Sequence, residues 1–403
     1  MHIFRENCQL PNDRGVRKSH IRLSTTKKFQ ETVFTDGQKH FEVLFSDIAR
    51  AKHSIDLETF LFHNDTLGKK VAFELAKAAR RGISVRIMVD GAGSPLWSTN
   101  FARFLEEAGV KTKVFHPFPW QLWDWSRSIV RLPSLVKWFY LIRKINFRNH
   151  RKVCIIDKKI AYIGSLNISN YHLSLEQGGK GWRDTSVRLA GIDLEELTKA
   201  FDAAWYHRTI KERLREIFRQ IRKDPLIRLN YTRQRRRVLY KNLLQKMANC
   251  TYRIWITNAY FVPDTFLLRK LKEAAYSGID VRILLPRKSD VVMMPWASST
   301  FYCTLLKAGV RIFEYLPSML HAKSLIIDDW MVIGSSNLNY RSLIHDLEAD
   351  IHINSKKSKR VLERQFLTDL KNSREVSLRS WQILRPRIQR LMGRLVIYIK
   401  YWI

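Results

Sequence analysis

The sequence predicts an α/β protein made of two duplicated α/β/α sandwich domains, related by a pseudo-twofold axis and sharing one central cleft. Three observations lead to this fold class. The chain has 403 residues and is 45% hydrophobic, which suits two or three globular domains. Strand–helix–strand patterns recur in its two halves, and one set of polar residues recurs with them. A twofold arrangement of such halves places equivalent residues around a shared cleft.

The strand–helix–strand pattern opens each half. KHSIDLETFLF precedes the helical segment ELAKAARRG and the strand ISVRIMVDG, and TYRIWITNAYFV precedes RKLKEAAYSG and IDVRILLPR. Apolar, β-branched runs predict the strands, and each helix is expected to end at its glycine, Gly82 or Gly278.

The resemblance between the halves continues along the chain. FARFLEEAGVKTKVF matches FYCTLLKAGVRIFEY, RKVCIIDKKIAYIGSLNIS matches AKSLIIDDWMVIGSSNLN, and DTSVRLAG matches EADIHINS. The repeated unit is therefore the size of a domain and much longer than the unit of a solenoid. We expect a first domain at 27–215, a second at 216–375 and a basic amphipathic segment at 376–403.

One polar set recurs at nearly the same spacing within this repeat. The first copy is His150, Lys152, Asp157, Ser165 and Asn167, and the second copy is His321, Lys323, Asp328, Ser335 and Asn337. Residues two apart on a strand share a face, so each histidine and its lysine are expected to point the same way. A single His-x-Lys pair is most often only a solvated pair, but two matched copies predict a functional site.

Two such sets facing each other suit a phosphate group. The lysines and the Ser/Asn pairs offer hydrogen-bond donors to phosphate oxygens, and the two imidazoles offer a nucleophile and a general acid. Phosphoryl transfer depends mostly on positioning and charge stabilisation, which lysines supply. No Cys/His cluster has the spacing of a zinc site, and neither a metal nor a cofactor is expected.

Two further pairs of acids complete the candidate site. Each histidine needs an acceptor that fixes its tautomer, and the alignment of the halves offers Asp184 and Glu348, at the start of the strand after each motif. Asp157 and Asp328 are assigned to the catalytic set with the His-x-Lys pairs. Both lie where a strand enters a turn, so a turn-stabilising role is an equally good interpretation.

At these residues the sequence resembles a known family. HRKVCIIDKKIAYIGSLN and HAKSLIIDDWMVIGSSN are similar to the paired H-x-K-x4-D signatures of the phospholipase D superfamily. LETFLF (57–62), VDGAGS (89–94), NAYFVPD (258–264) and VIGSSNLNYRSL (332–343) resemble bacterial cardiolipin synthases, in layout most of all the type without N-terminal membrane spans. The resemblance covers about residues 27–375 and implies the phospholipase D-like fold for both domains.

The resemblance also implies a ping-pong phosphatidyltransferase that makes cardiolipin from phosphatidylglycerol and a second phospholipid. His150 would attack the phosphodiester and hold the phosphatidyl group as a phosphohistidine, and His321 would protonate the leaving alcohol. A phospholipase D-type hydrolase or a phosphatidylserine synthase would use the same residues with water or serine as the acceptor. The superfamily also includes endonucleases, which form a third alternative.

The net charge of +34 implies a polyanionic partner, either nucleic acid or an anionic membrane. The first half carries an insertion at 116–149 with four tryptophans, six Lys/Arg and one acid, and the linker at 208–241 and residues 376–403 are also strongly basic. Interleaved Trp, aliphatic and cationic residues favour a segment in a membrane interface, with a buried helical hairpin as the alternative for the insertion and a packed terminal helix for 376–403. We therefore expect an anionic phospholipid membrane (phosphatidylglycerol, cardiolipin) rather than nucleic acid.

The sequence shows neither a membrane span nor the apolar core of a signal peptide. No window of about 18 residues is free of charge, and the segment MHIFRENCQLPNDRG is polar. The four widely spaced cysteines do not form a disulfide framework. These features predict a peripheral protein on the cytoplasmic side of the bacterial inner membrane.

Overall fold

The computed structural model of the protein describes residues 29–206, 222, 224–384 and 386–398. Residues 27–28 of the first predicted domain, 207–221 and 223 of the linker region, and 385 and 399–403 of the terminal segment lie outside the described residues. Within the described part, fifteen strands form two mixed sheets of seven and eight strands. The predicted α/β class with two similar halves is confirmed.

The first sheet has the spatial order β1-β7-β6-β5-β2-β3-β4. Its strands are β1 (Gln30–Phe34), β2 (Ser54–Thr59), β3 (Ser84–Asp90), β4 (Lys111–Phe115), β5 (Val153–Ile156), β6 (Ile160–Gly164) and β7 (Ser186–Ala190). Strands β2, β3 and β4 are parallel, and the other pairings are antiparallel. The helices of this half are α1 (Gly37–Arg50), α2 (Thr66–Arg80), α3 (Arg103–Glu107), α4 (Ser134–Arg143) and α5 (Glu195–Trp205).

The second sheet has the order β15-β11-β10-β9-β12-β13-β14-β8 and repeats the parallel core in β9, β10 and β11. Its strands are β8 (Ile227–Leu229), β9 (Arg253–Thr257), β10 (Asp280–Pro286), β11 (Arg311–Tyr315), β12 (Ser324–Ile327), β13 (Trp330–Gly334), β14 (Ala349–His352) and β15 (Ser373–Val376). Its helices are α6 (Arg233–Ala248), α7 (Thr265–Tyr276), α8 (Met294–Ser299), α9 (Tyr302–Lys307), α10 (Tyr340–Ile344), α11 (Lys356–Lys371), α12 (Leu378–Leu384) and α13 (Arg387–Tyr398).

Local sequence signals explain the crossover helices α2 and α7. Each begins after an aspartate N-cap, Asp65 or Asp264, whose side chain accepts the backbone N–H three residues on. Each is followed by the predicted glycine, Gly82 or Gly278, at a φ of 87° or 83° that favours a residue without a Cβ. The chain can therefore turn at once into the next parallel strand.

A shared apolar core fixes the two halves against each other. One buried cluster contains Ile163 and Val187 of the first sheet together with Ile333 and Ile351 of the second. Burial of apolar surface from both sheets in one cluster stabilises a single arrangement of the halves.

The carboxyl edges of the parallel strands meet the segments that carry the histidines. Strand β5 is antiparallel to β2, with Val153 opposite Glu58, and β12 is antiparallel to β9, with Ser324 opposite Thr257. The residues that precede β5 and β12 therefore extend beyond the carboxyl ends of β2 and β9. Ligand sites of open α/β sheets lie at this edge.

The insertion at 116–149 lies largely on the surface. It contains a 3-10 turn at Leu122–Asp124 and the helix α4. Its most exposed apolar side chains are Trp120, Leu122, Trp123, Leu135, Val136, Trp138 and Phe139. Trp125, in contrast, packs against the shared core. This exposure favours the interfacial interpretation over a buried hairpin.

The terminal helix α13 has one packed face and one exposed face. Val396 is buried in a small cluster with Met294 and Ala297 of α8. The opposite face exposes Ile388, Leu391, Leu395 and Tyr398. None of the described helices is both long and apolar enough to cross a membrane.

Asp157 and Asp328 lie at the far ends of β5 and β12 from the histidines. The Asp157 carboxylate accepts the backbone N–H groups of residues 52–54 at 2.7–3.2 Å, and Asp328 accepts those of residues 251–253 at 2.8–3.1 Å. The seven residues from histidine to aspartate span about 20 Å of extended chain. The structure therefore places both aspartates outside the site, against the expectation that they belong to the catalytic set, and the turn-stabilising interpretation applies.

We expect Asp328→Asn to lower the free energy of unfolding at pH 7 by about 1 kcal/mol without stopping catalysis by the folded protein. Burial opposes ionisation of Asp328, but the backbone donors outweigh it and set its pKa at about 2. Because this pKa is lower in the folded than in the unfolded protein, the ionised carboxylate stabilises the folded state above about pH 4. This stabilisation is lost as the pH falls toward 2. Urea unfolding of wild type and variant at pH 7 and pH 3 should show a difference that shrinks at pH 3. Lost turnover with unchanged stability would contradict this.

Candidate active site

His150 is positioned by backbone and side chain of the other half. Asn149 forms a bridge with Leu347, and the His150 N–H donates to the Leu347 carbonyl at 3.0 Å. The next residue along that half is Glu348, whose two carboxylate oxygens lie 3.0 and 3.1 Å from His150 Nδ1. The backbone bridge thus sets the side-chain pair in register.

His321 is positioned in the same way, with the halves exchanged. Arg183 forms a bridge with Leu320, and its carbonyl accepts the His321 N–H at 2.9 Å. Asp184 follows, with Oδ1 at 2.8 Å from His321 Nδ1. The alignment of the halves predicts one such acid in each half, and the structure pairs each acid with the histidine of the other half.

Buried carboxylates fix the segment in front of His150. Asp90 accepts the backbone N–H of Asn149 at 2.8 Å, and Asp346 accepts that of Arg148 at 3.2 Å. Glu58 accepts the Asn149 side-chain amide at 3.0 Å. All three acids are almost fully buried. Breaking any of these contacts would leave a buried polar group unpaired, which is costly, so this segment is held firmly.

The two lysines lie beneath their histidines. Lys152 Nζ donates to the His150 carbonyl at 2.7 Å, and Lys323 Nζ donates to the His321 carbonyl. Both side chains are almost fully buried, and an ammonium has three N–H donors, so each has donors left for a ligand. Burial lowers the pKa of His150 well below its usual value, and the charges of Lys152 and Lys323 lower it further.

Burial also lowers the pKa of the other three basic groups. It lowers that of His321 to about 4, with a further contribution from Lys323, and that of Lys323 to about 8. It holds the pKa of Lys152 well below its usual value despite the neighbouring Glu348. In the folded protein these four basic groups therefore bind fewer protons than they bind in water.

The pKa values of Asp184 and Glu348 are shifted in opposite directions. Burial opposes ionisation of Asp184, but His321 and His172 outweigh it and hold its pKa well below the usual value. Burial raises the pKa of Glu348 well above the usual value, and Lys152 offsets this only in part. The two halves of the site are thus similar in geometry but unequal in electrostatics.

Ser165 and Ser335 do not point their donors at a ligand. Ser165 Oγ donates to the Thr185 carbonyl and accepts the Thr185 N–H, both at 3.1 Å. Ser335 makes the same two contacts with Ala349, at 3.3 and 3.0 Å. A hydroxyl has one proton, so these contacts do not support the expected phosphate-donor role. The serines instead bind each motif to the segment directly after the acid of the same half, at Thr185 after Asp184 and at Ala349 after Glu348.

Asn167 and Asn337 are buried beside the same strands. Asn167 Oδ1 accepts the Leu61 N–H at 3.3 Å. Asn337 is 2% exposed, and its Oδ1 has no hydrogen-bond partner in the part of the chain that the structure describes. A buried polar group in this state is suited to a ligand contact, so the phosphate-binding role of Asn337 stays a prediction.

Three further residues of the site escaped the sequence reasoning. The Phe60 ring lies 5.2 Å from that of His150, and the Trp182 ring lies 5.5 Å from that of His321. His172 binds Asp184. The search relied on residues that recur in both halves, and these three were not among the matched positions. In the sequence, His172 and Trp182 lie close to Asn167 and Asp184, and Phe60 lies within the segment LETFLF.

The arrangement is suited to in-line displacement at phosphorus. Since Nδ1 of each imidazole is bound to a carboxylate, Nε2 is the nitrogen left for a substrate. Two such imidazoles and two lysines supply a nucleophile, a proton donor and charge stabilisation.

A family model described as "Cardiolipin synthase, PLD-like domain" matches residues 44–178 and 243–370. The chain belongs to this family. It is an enzyme, a phosphatidyltransferase of the phospholipase D superfamily.

Curated relatives agree with the membership of the cardiolipin synthase family. The cardiolipin synthase of Geobacillus sp. (strain WCH70) is 32% identical, over 91% of this chain and 70% of its own length. That of Geobacillus kaustophilus (strain HTA426) is 31% identical, over 91% and 72%. The crystal structure of phosphatidylserine synthase from Haemophilus influenzae Rd KW20 has a TM-score of 0.63 at 13% identity, covering 92% of both chains, which shows a shared fold.

We expect this cardiolipin synthase-family site to take up about one proton when it binds an anion at pH 8. In the folded protein the pKa of each of Lys152, Lys323 and both histidines is lowered, and a nearby anion raises it. Sulfate affinity should therefore rise by up to about tenfold per pH unit between pH 9 and 7. Calorimetry in two buffers of different ionisation enthalpy measures the proton uptake, and Lys323→Met should reduce it. Proton release, or an affinity independent of pH, would contradict this reading.

Proposed function

We propose that the protein makes cardiolipin by transferring a phosphatidyl group from phosphatidylglycerol to a second phospholipid, with neither a metal nor a cofactor. The crossed His–carboxylate pairs support this proposal, because each joins the imidazole of one half to a carboxylate of the other, with the lysine of the same motif bonded to that histidine's carbonyl. The named activity of the curated relatives supports cardiolipin as the product.

In the first step His150 acts as the nucleophile. Its Nε2 lone pair forms a bond to phosphorus, the P–O bond to glycerol breaks, and His321 gives its Nε2 proton to the glycerol oxygen. The negative charge of the substrate raises the low pKa of His321 and so favours the protonated form that donates. Lys152 and Lys323 stabilise the charge on the phosphoryl oxygens.

In the second step an acceptor lipid resolves the phosphohistidine. His321, now neutral, removes the proton of the acceptor hydroxyl, the new P–O bond forms, and the bond between phosphorus and His150 breaks. The first alcohol leaves before the second lipid binds, which gives ping-pong kinetics.

We expect His150→Asn and His321→Asn each to lower turnover by at least about a thousandfold, because each removes a group that forms or breaks a bond. Cys154→Ala, a change on the neighbouring strand β5, should leave turnover nearly unchanged. The assay follows cardiolipin and glycerol from phosphatidylglycerol vesicles in the presence of a chelator. A labelled phosphatidyl group trapped on a peptide with His321 rather than His150 would reverse the two roles.

The products also separate the alternative functions. Phosphatidic acid as the main product indicates a hydrolase, and phosphatidylserine formed with added serine indicates a phosphatidylserine synthase. DNA cleavage that is lost in His150→Asn, with lipid untouched, indicates an endonuclease. Any of these results would overturn cardiolipin synthesis as the function.

We propose an anionic bilayer as the partner that presents the substrate. The insertion is fastened to the loop after β3, where Trp123 Nε1 donates to the Pro95 carbonyl at 3.0 Å. Helix α13 is packed on α8, which follows β10 in the second half. Strands β3 and β10 are equivalent, so each half carries one exposed apolar segment at the carboxyl edge where its histidine lies. A membrane that contacts both segments faces the cleft.

Charge on the two segments supports the same partner. Lys137, Arg143 and Lys144 belong to the insertion, and Arg390 and Arg394 belong to α13. Cations beside exposed Trp, Leu and Ile side chains bind lipid phosphates while the apolar groups enter the interface. The location on the cytoplasmic side of the inner membrane is part of this proposal.

We expect Trp138→Ser combined with Phe139→Ser to weaken binding to phosphatidylglycerol vesicles by about 10- to 50-fold, because two aromatic side chains no longer enter the interface. Turnover of phosphatidylglycerol in detergent micelles should change little. Tyr276→Ser is a matched control, since Tyr276 is as exposed but lies at the end of α7 away from the carboxyl edge. Sedimentation with vesicles measures the binding. Equal loss in the control variant, or none in either, would contradict the assignment.

A further inference from the structure

We propose that His172 is a positioning residue that holds Asp184 against His321 and thereby makes the two catalytic histidines unequal. The inference rests on the proposed function, in which His150 forms the phosphohistidine and His321 transfers protons. It adds a third histidine to the site.

The contacts of His172 fix both its orientation and its tautomer. The residue is 3% exposed. Its Nδ1 lies 2.6 Å from Asp184 Oδ2, and the other oxygen of that carboxylate, Oδ1, binds His321 Nδ1. The backbone N–H of Asn167 donates to His172 Nε2 at 3.1 Å. Since Nε2 is an acceptor there, the ring proton is on Nδ1 and is donated to Asp184.

The backbone around His172 is held rigidly. The residue closes the 3-10 turn Asn170–His172, and Asp65 Oδ2 accepts both the Asn170 N–H at 2.7 Å and the Ser169 hydroxyl at 2.9 Å. Gly37 packs so closely that a Cβ there would lie 2.2 Å from the His172 carbonyl oxygen. His172 therefore provides Asp184 with a fixed donor.

Among the described residues, Glu348 has no second imidazole donor, and its other side-chain donor is the Ser335 hydroxyl. Both oxygens of Glu348 face His150, and the position five residues after Asn337, which corresponds in spacing to His172, is Ser342 in the short helix α10. Asp184 thus accepts two imidazole N–H groups and Glu348 accepts one.

The extra donor has a chemical consequence for the proton-transfer residue. An ionised Asp184 stabilises the imidazolium form of His321, which a proton carrier needs. The His172 N–H takes up part of that negative charge, so His321 releases its proton to an alcohol more readily. His150 donates its Nδ1 proton to Glu348, which leaves Nε2 of the neutral ring unprotonated. The titratable groups around His321 include Lys323, Asp184, His172 and His150; His40 lies next to His172, and Tyr260 lies near Asp184.

The test compares His172→Phe with His172→Asn in the full chain, using cardiolipin formation across pH. In His172→Phe the whole charge of Asp184 acts on His321, so the pKa of His321 rises. We expect the alkaline limb of the kcat profile, which reports the substrate complex, to move up by about half to one pH unit, with the maximal kcat lowered about tenfold and the acid limb unchanged. His172→Asn keeps an amide N–H near the place of Nδ1 and should return both values toward wild type.

The matched control is His40→Phe. His40 is also buried in the first half, and its Nδ1 faces the Ser186 hydroxyl at 2.8 Å rather than Asp184. Its loss should leave the pH limbs in place. A drop in kcat for His172→Phe with unmoved limbs, movement of the acid limb, or a His172→Asn variant no better than His172→Phe would overturn the inference.

An NMR titration of histidine-labelled protein separates this inference from the proposed function. The His321 signal, assigned by its absence in His321→Asn, should titrate at higher pH in His172→Phe. A wild-type product other than cardiolipin would overturn the proposed function, and the titration would still decide the role of His172. An unchanged His321 titration would overturn the inference even where cardiolipin is made.

Discussion

The hydrogen bonds from His150 to Glu348 and from His321 to Asp184 join the two halves at the point where the chemistry takes place. Each depends on a backbone bridge between the halves, and each bridge depends on the apolar core that both sheets share. A small displacement of one half would separate both pairs together, because the same interface supports them. The position of the halves, rather than any single residue, therefore determines whether the site exists.

The duplicated fold supplies two similar sets of groups, and later differences between the halves give them separate tasks. The insertion follows β4 in the first half, and the second half turns directly from β11 toward its histidine. His172 supports one carboxylate only. A symmetrical site would bind a phosphate equally well, but covalent transfer needs one imidazole that holds the group and another that moves protons. The differences between the halves, the insertion and His172, can therefore give the two imidazoles different roles.

Most of the fold and the centre of the site could be predicted from the repeat. The recurrence identified both His-x-Lys pairs and both acids, because equivalent positions in two halves reveal each other. It could not show that the pairs are crossed, since an alignment gives equivalence but not the geometry of the interface. Spacing also grouped Asp157 with His150, although strand β5 carries them to opposite ends. His172 was missed because nothing in the second half corresponds to it.

The crossed pairing also orders events during protein synthesis. His150, Lys152 and Asp184 leave the ribosome early, and the first sheet needs no strand from the second half. His150 nevertheless lacks its carboxylate until Glu348 has been translated and β14 has paired into the second sheet. The nascent first half therefore carries His150 without the carboxylate that binds its Nδ1, and the crossed pair can form only after Glu348 has been translated.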